Sequence, residues 1–457
     1  MKLQTYAAIL LILLSSISGC LGEDITGGEI DDDVPKQRDD NDTVPQDDNE
    51  TVPQDHNETA PQDDNETAPQ DDNETVLSLS MITDMAQLYG WPKMITDGQR
   101  LFFHAWDRGS SDCQLWSYDT KNRSLLPIVT ECGLPVDTLQ IQLGTEIHSR
   151  LYYTTDSAFM FIDYEICSDA LDCALVLSSP TVVFNISNDF QPNIIISNNY
   201  IYVSYEQGFT VIDISQNHTL VDDNISVDRP YGMLGVIGDT LVFHQKHPSV
   251  QSNSIWFYEP SNLTQWQFAP TDTFGCYGCT ADISFSDSGF IARGKPAYIE
   301  NHDYQVWAYE HSNESSWIEF SISNIDLSNS VEYDSRLYFE ADIDPHGKEL
   351  WCYDYSNRSA WMVMDISPLG DSKPRKLTVW DNSIYFRADS GDGFGTELWV
   401  HNPLNDSTWM FDDINPDPLM GDTDESSYPE SFTTVGGCLY FIANKGHNIG
   451  SQVFRLC

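Results

Sequence analysis

From Val76 to Cys457 the chain repeats itself, and that repetition restricts the fold more than any other feature. LYFEADIDPHGKELWCYDYSNRSAWMVMDI, starting at Leu337, and IYFRADSGDGFGTELWVHNPLNDSTWMFDDI, starting at Ile384, align almost residue for residue. Weaker copies begin at Leu101, Leu241 and Phe290, and more divergent or shortened ones at Leu151, Ile201 and Leu439, giving eight units at steps of 40 to 55 residues. Each unit reads as short runs with period-2 alternation, broken by turns bearing Asp, Asn or Gly, which is the pattern of strands; helical periodicity is nowhere convincing. Four strand runs per step of this length match one propeller blade per unit.

The last unit stops at Cys457 after QVFRLC and has no counterpart of the TWMV-like run that ends the others. Leu77 to Asp84 has the length and alternation to supply that strand, joining the chain's ends and covering an exposed edge. The predicted architecture is therefore all-β: a β-propeller of eight four-stranded blades over residues 77–457, closed by an N-terminal strand. The alternative is a seven-bladed ring with one divergent unit as an insertion. Trp116, Trp256, Trp307, Trp351 and Trp399 recur on equivalent strands and are predicted to fill the wedges between blades rather than form a ring of exposed carbohydrate-stacking aromatics.

Glu349-Leu350-Trp351 and Glu397-Leu398-Trp399, each following a turn and an LYF-like run, resemble the secreted ELWxxDGT-repeat proteins, whose repeats carry GxxLYFxAxDxxxGxELWxxD. Other units keep chiefly the aromatic, as in Leu115-Trp116, Ile255-Trp256 and Val306-Trp307, and none has DGT after the Asp. The resemblance implies a propeller-like surface protein and brings no catalytic residues.

Ahead of the body, residues 1–19 form an export signal: a Lys after Met1, an apolar run from Ala7 to Leu14, then small residues. That run is far shorter than the roughly 20 residues a membrane span needs. Ile17-Ser18-Gly19-Cys20 resembles a prokaryotic lipobox, which implies lipid on Cys20; ordinary cleavage nearby is the alternative. Residues 20–76 read as a tether. From Asp39 they repeat with a period of eight (DDNDTVPQ, DDNETVPQ and variants), and residues 23–76 hold 20 acids against Lys36 and Arg38, too polar to bury a core.

The whole chain carries a formal net charge of −49, which excludes a phosphate-tracking nucleic-acid surface. The body alone has 51 acidic against 19 basic side chains, so the tether does not account for the excess. The acceptor pattern N-x-S/T recurs in phase in the tether at Asn41, Asn49, Asn57, Asn65 and Asn73, and at one predicted outer hairpin of six units at Asn122, Asn217, Asn262, Asn313, Asn357 and Asn405. Both glycosylation and plain turn chemistry yield that pattern in the hairpins. Cys113 with Cys132, Cys167 with Cys173, Cys276 with Cys279 and Cys438 with Cys457 are the predicted disulfides of an exported chain, with Cys352 left unpaired and buried.

The loops from Asp342 to Glu349 and Asp389 to Glu397 place oxygen donors near a Gly turn, a weak calcium pattern that reads better as solvated turn acids. No other cofactor or metal is expected. No HExxH, GxSxG, phosphate loop or GxGxxG occurs, and His244 and His247 make only a lone HxxH. A sialidase-like or glycosidase-like hydrolase is the enzymatic alternative, and it would need an arginine cluster for a carboxylate substrate. The expectation is a monomeric binding module at the cell surface, held to the membrane by lipid alone and facing an extracellular protein or glycan. A structural surface-layer component is a further alternative.

Overall fold

A computed structural model describes residues 77–457 apart from 84–92, 107–112, 130–138, 143–147, 156, 166–174, 187–191, 206–207, 227–232, 247–252, 269–282, 295–304, 323, 417–425 and 447–448. Its strands form eight sheets of four, and the sheets make a β-propeller. Blades 1 to 8 span residues 94–129, 140–185, 194–226, 233–267, 283–321, 325–364, 375–412 and 430–456. The first strands of neighbouring blades lie against each other, as Ile325–Tyr333 does with Arg375–Trp380, and Met94–Thr96 of blade 1 meets Glu430–Val435 of blade 8. The ring therefore has eight blades, not seven.

The LYF run explains how the blades stack. Leu337 and Phe339 face blade 5, in a buried cluster with Val306, while Tyr338 faces blade 7, among Leu377, Phe386 and Trp399. A strand sandwiched on both faces reads as continuously apolar, and each large side chain so buried contributes roughly 1.5–3 kcal/mol. Trp116, Trp307 and Trp399 are buried in such wedges, and Trp256 and Trp351 pack against them, as the sequence predicted.

Closure runs through the N-terminal strand Leu79–Met81, which pairs antiparallel with Ser451–Leu456, placing Leu79 opposite Leu456 and Met81 opposite Phe454. Thr83 extends the junction: its hydroxyl donates to Gln452 Oε1 at 3.0 Å and accepts from Val453 N at 2.9 Å. Cys438 and Cys457 form a disulfide across the same blade, and Cys352 is free and buried. The turns between first and second strands and those between third and fourth strands share one end of the ring. Ile214 N donates to Asn199 O at 2.8 Å and Tyr355 N to Ser335 O at 3.2 Å, tying one kind of turn to the other. That end is the hairpin face.

Candidate functional site

A cavity of about 1380 Å³ opens on the hairpin face, walled by Gln140, Gln142, Arg150 and Asp163 of blade 2 and Asn198 and Asn199 of blade 3, and reaching the hairpins of blades 4 and 5. Arg150 is held on three sides. Its Nε and Nη2 donate to Asp163 Oδ1 and Oδ2 at 2.6 and 3.0 Å, and its guanidinium carbon lies 3.9 Å from the Phe161 ring centroid. His218 stacks on Phe161 at 4.9 Å between centroids, and its Nε2 is 3.2 Å from Tyr152 Oη. Burial first, then the charge of Arg150, pushes His218 down; burial pushes the Tyr152 phenol up. Both groups are therefore neutral at pH 7. The wall presents amides, hydroxyls, one guanidinium whose charge is matched by Asp163, and the further carboxylates of Glu165 and Asp287, which suits hydrogen bonding to a polar ligand.

Arg150 and Asp163 are also a directly opposed cross-strand pair, like Arg100 with Asp119 and Arg336 with Asp354. The pair thus belongs to the repeat, and only the cavity beside it and the His218 stack are particular to blades 2 and 3. The RL dipeptide opening three units, at Arg100, Arg150 and Arg336, is the signal in the sequence, and it matches no catalytic motif.

The acids of the ELW motif correct one expectation. Glu349 and Glu397 are not solvated turn acids; each is 0% exposed. Glu349 accepts from Ile366 N at 2.9 Å, Ser367 N at 3.2 Å and Ser372 Oγ at 2.6 Å, and Glu397 accepts from Ile414 N at 3.0 Å, Ser427 N at 2.8 Å and Ser427 Oγ. Each carboxylate fastens a third strand to the crossover leaving its blade. The remaining loop acids fit the expectation better: Asp344 and Asp392 are exposed. Among the described residues no three His, Cys, Asp or Glu side chains are grouped as a metal site would need.

Asn122, Asn217, Asn262, Asn313, Asn357 and Asn405 all lie exposed in turns between third and fourth strands. In blades 1, 5, 6 and 7 the Asn Oδ1 accepts from the backbone N–H two residues on, at 2.9 Å in Asn122, Asn313 and Asn357 and 3.2 Å in Asn405. Asn262 does the same with Thr264 N at 3.1 Å. The residue between is left-handed, with φ from 52° to 59° at Arg123, Leu263, Glu314, Arg358 and Asp406. The turn therefore accounts for the Asn, and the hydroxyls of Thr264, Ser359 and Ser407 donate to the same oxygen; this spends the carbonyl oxygen while glycans attach at the amide nitrogen. Cys20, the five tether asparagines, Cys132, Cys167, Cys173, Cys276, Cys279 and the side chain of Cys113 lie outside the described residues.

No protein-family model and no curated protein matches the chain. Among solved structures it is similar to the β-propeller domain of the Trilobed protease from Pyrococcus furiosus, at 9% identity and TM-score 0.43 over 71% of this chain and 99% of that one. It is also similar to the oligogalacturonate lyase of Vibrio parahaemolyticus, at 9% identity and TM-score 0.44 over 84% and 94%. Porphyromonas gingivalis dipeptidyl peptidase 4 matches at 8% identity and TM-score 0.45 over 79% and 56%. These likenesses are distant, and it is the eight sheets of four strands that make the chain a β-propeller.

Proposed function

We propose that this protein is a surface-displayed propeller that binds an extracellular protein or glycan through the cavity on its hairpin face. The observation that carries the reading is that cavity, about 1380 Å³ with walls of amides, hydroxyls, the Arg150–Asp163 pair and the carboxylates of Glu165 and Asp287. Such a wall offers many hydrogen bonds, most of them to acceptors, which suits recognition of a hydroxyl-rich or otherwise polar ligand. In this reading Cys20 carries the lipid, residues 20–76 hold the body off the membrane, and the exposed hairpin asparagines carry glycans around the cavity mouth. The Cys438–Cys457 disulfide agrees with an exported chain.

The test uses the full chain extracted in detergent. Intact mass should show a diacylated Cys20 as the first residue. Glycan arrays and extracellular proteins are then screened, with Asn198→Trp as the blocking variant, because Asn198 is exposed at the cavity wall. A bound ligand should be lost about tenfold or more in that variant. Unchanged binding, or a chain beginning elsewhere without lipid, would overturn the corresponding part of the proposal.

A further inference from the structure

A second cavity, of about 740 Å³, shares Ser286 with the first and runs from Val331, Val379 and Phe432 on the first strands of blades 6 to 8 out to Trp317 on the fourth strand of blade 5. Crossing a blade from fourth strand to first covers three strand spacings, roughly 14 Å. The space is thus a groove rather than a pit.

Its outer part is built from aromatic rings held in place by carboxylates. Trp317 is 42% exposed, and its indole N–H donates to Glu319 Oε2. Glu319 is fixed in turn, because Tyr353 Oη donates to its Oε1 at 3.1 Å. Across the groove Tyr355 Oη donates to Glu332 Oε1 at 2.6 Å, and Glu332 is exposed. At the inner end, the Phe285 ring lies so close to Gly235 that a Cβ there would come within 2.6 Å of it, so this ring also has one seat.

We infer that this groove is a carbohydrate-binding subsite, taking a neutral oligosaccharide end to end between blades 5 and 6. Aromatic rings of fixed orientation receive the C–H face of a pyranose, and carboxylates accept its hydroxyls. The length favours a chain over a compact ligand. Its charge sets the class: among the described residues the lining includes Glu319 and Glu332 and no Lys or Arg, so a uronate or sialylated chain would meet repulsion. Trp409 is equally exposed at the equivalent position of blade 7, so what sets Trp317 apart is that Glu319 fixes its indole at the mouth of a groove, whereas Trp307 on the adjoining strand fills the core.

The inference rests on the binding reading and specifies it. The full chain is titrated calorimetrically with neutral hexose and N-acetylhexosamine oligosaccharides, with a uronate oligosaccharide and a quaternary ammonium as charged probes. Neutral oligomers should bind, longer ones more tightly, and Trp317→Ala should weaken them about tenfold while Trp317→Phe retains part of the affinity. Thermal melts of both variants should match the parent, since the indole is exposed. Preference for either charged probe, no binding of neutral oligomers, or undiminished affinity in Trp317→Ala would overturn the inference. A ligand lost in Asn198→Trp but kept in Trp317→Ala would leave the first cavity standing and remove this groove.

Discussion

Blades 6 and 7 spend the glutamate of their motif as an internal clamp, whereas blades 2 and 3 have Ala158 and Gly208 at the corresponding strand position. At Gly208 even a methyl group is excluded, since a Cβ would come within 2.0 Å of Ile225 O. The two divergent blades form much of the wall of the larger cavity, including its Arg150, which is backed by the Phe161 ring on which His218 stacks. The glutamates that make the repeat recognisable hold the ring together, and the larger cavity lies on blades that lack them, beside an Arg–Asp pair that the repeat still supplies. Strength of motif here measures structural duty.

Glu397→Ala should give the largest effect. It strips the acceptor from Ile414 N, Ser427 N and Ser427 Oγ in a fully buried site, at a cost of about 3–5 kcal/mol in urea melts. A loss below about 1 kcal/mol would erase the distinction between clamp and surface acid.

A subtler version uses pH. Burial, working against hydrogen bonds from Ser427 and Ile414, pushes the Glu397 carboxyl up to about 7. Its folded pKa then exceeds the unfolded value of about 4.3, so the native state binds the extra proton. This contribution to stability is whole below about pH 4.3 and is lost as pH rises to about 7. Stability of the parent should fall across that window relative to Glu397→Gln by about 1–3 kcal/mol. A constant difference between the two would show that the clamp does not titrate there.

The smallest effect concerns the hairpins, where sequon and turn overlap. Asn405→Ala removes the side-chain acceptor of the turn and should cost about 1 kcal/mol. Ser407→Ala keeps the backbone donor and should cost about half as much, yet it abolishes the glycan acceptor equally. Intact masses that fall alike in both variants would assign a glycan to Asn405. Unchanged masses would leave the turn as the sole reason for the pattern.

Blade number, the closing strand, the tryptophan wedges and the Cys438–Cys457 bridge were legible because period-2 runs, recurrent aromatics and the chain's own ends are local or terminal signals. The clamps were not. Glu349 and Glu397 follow loops with exposed acids, and their burial is decided by crossovers 17 to 30 residues downstream. The cavity was less legible still, because its walls come from blades 2 to 5, with Arg150, Asn198, Gly238 and Asp287 belonging to no shared motif. Trp317 follows the hairpin Asn313 by four residues, and its difference from the core tryptophans lies in its strand and in which side of the sheet it occupies.

The closing strand also imposes an order of assembly. Ser80 reaches Arg455 across 375 positions, so the first strand of the body to be made is paired only by the last. Leu79–Met81 must wait unpaired while eight blades form behind it. A chain lacking Ser451–Leu456 keeps the contact of Glu430–Val435 with Met94–Thr96 but leaves Leu79–Met81 without its pairing strand and blade 8 with a bare sheet edge, so the seal of the ring waits for residues at the far end of the body.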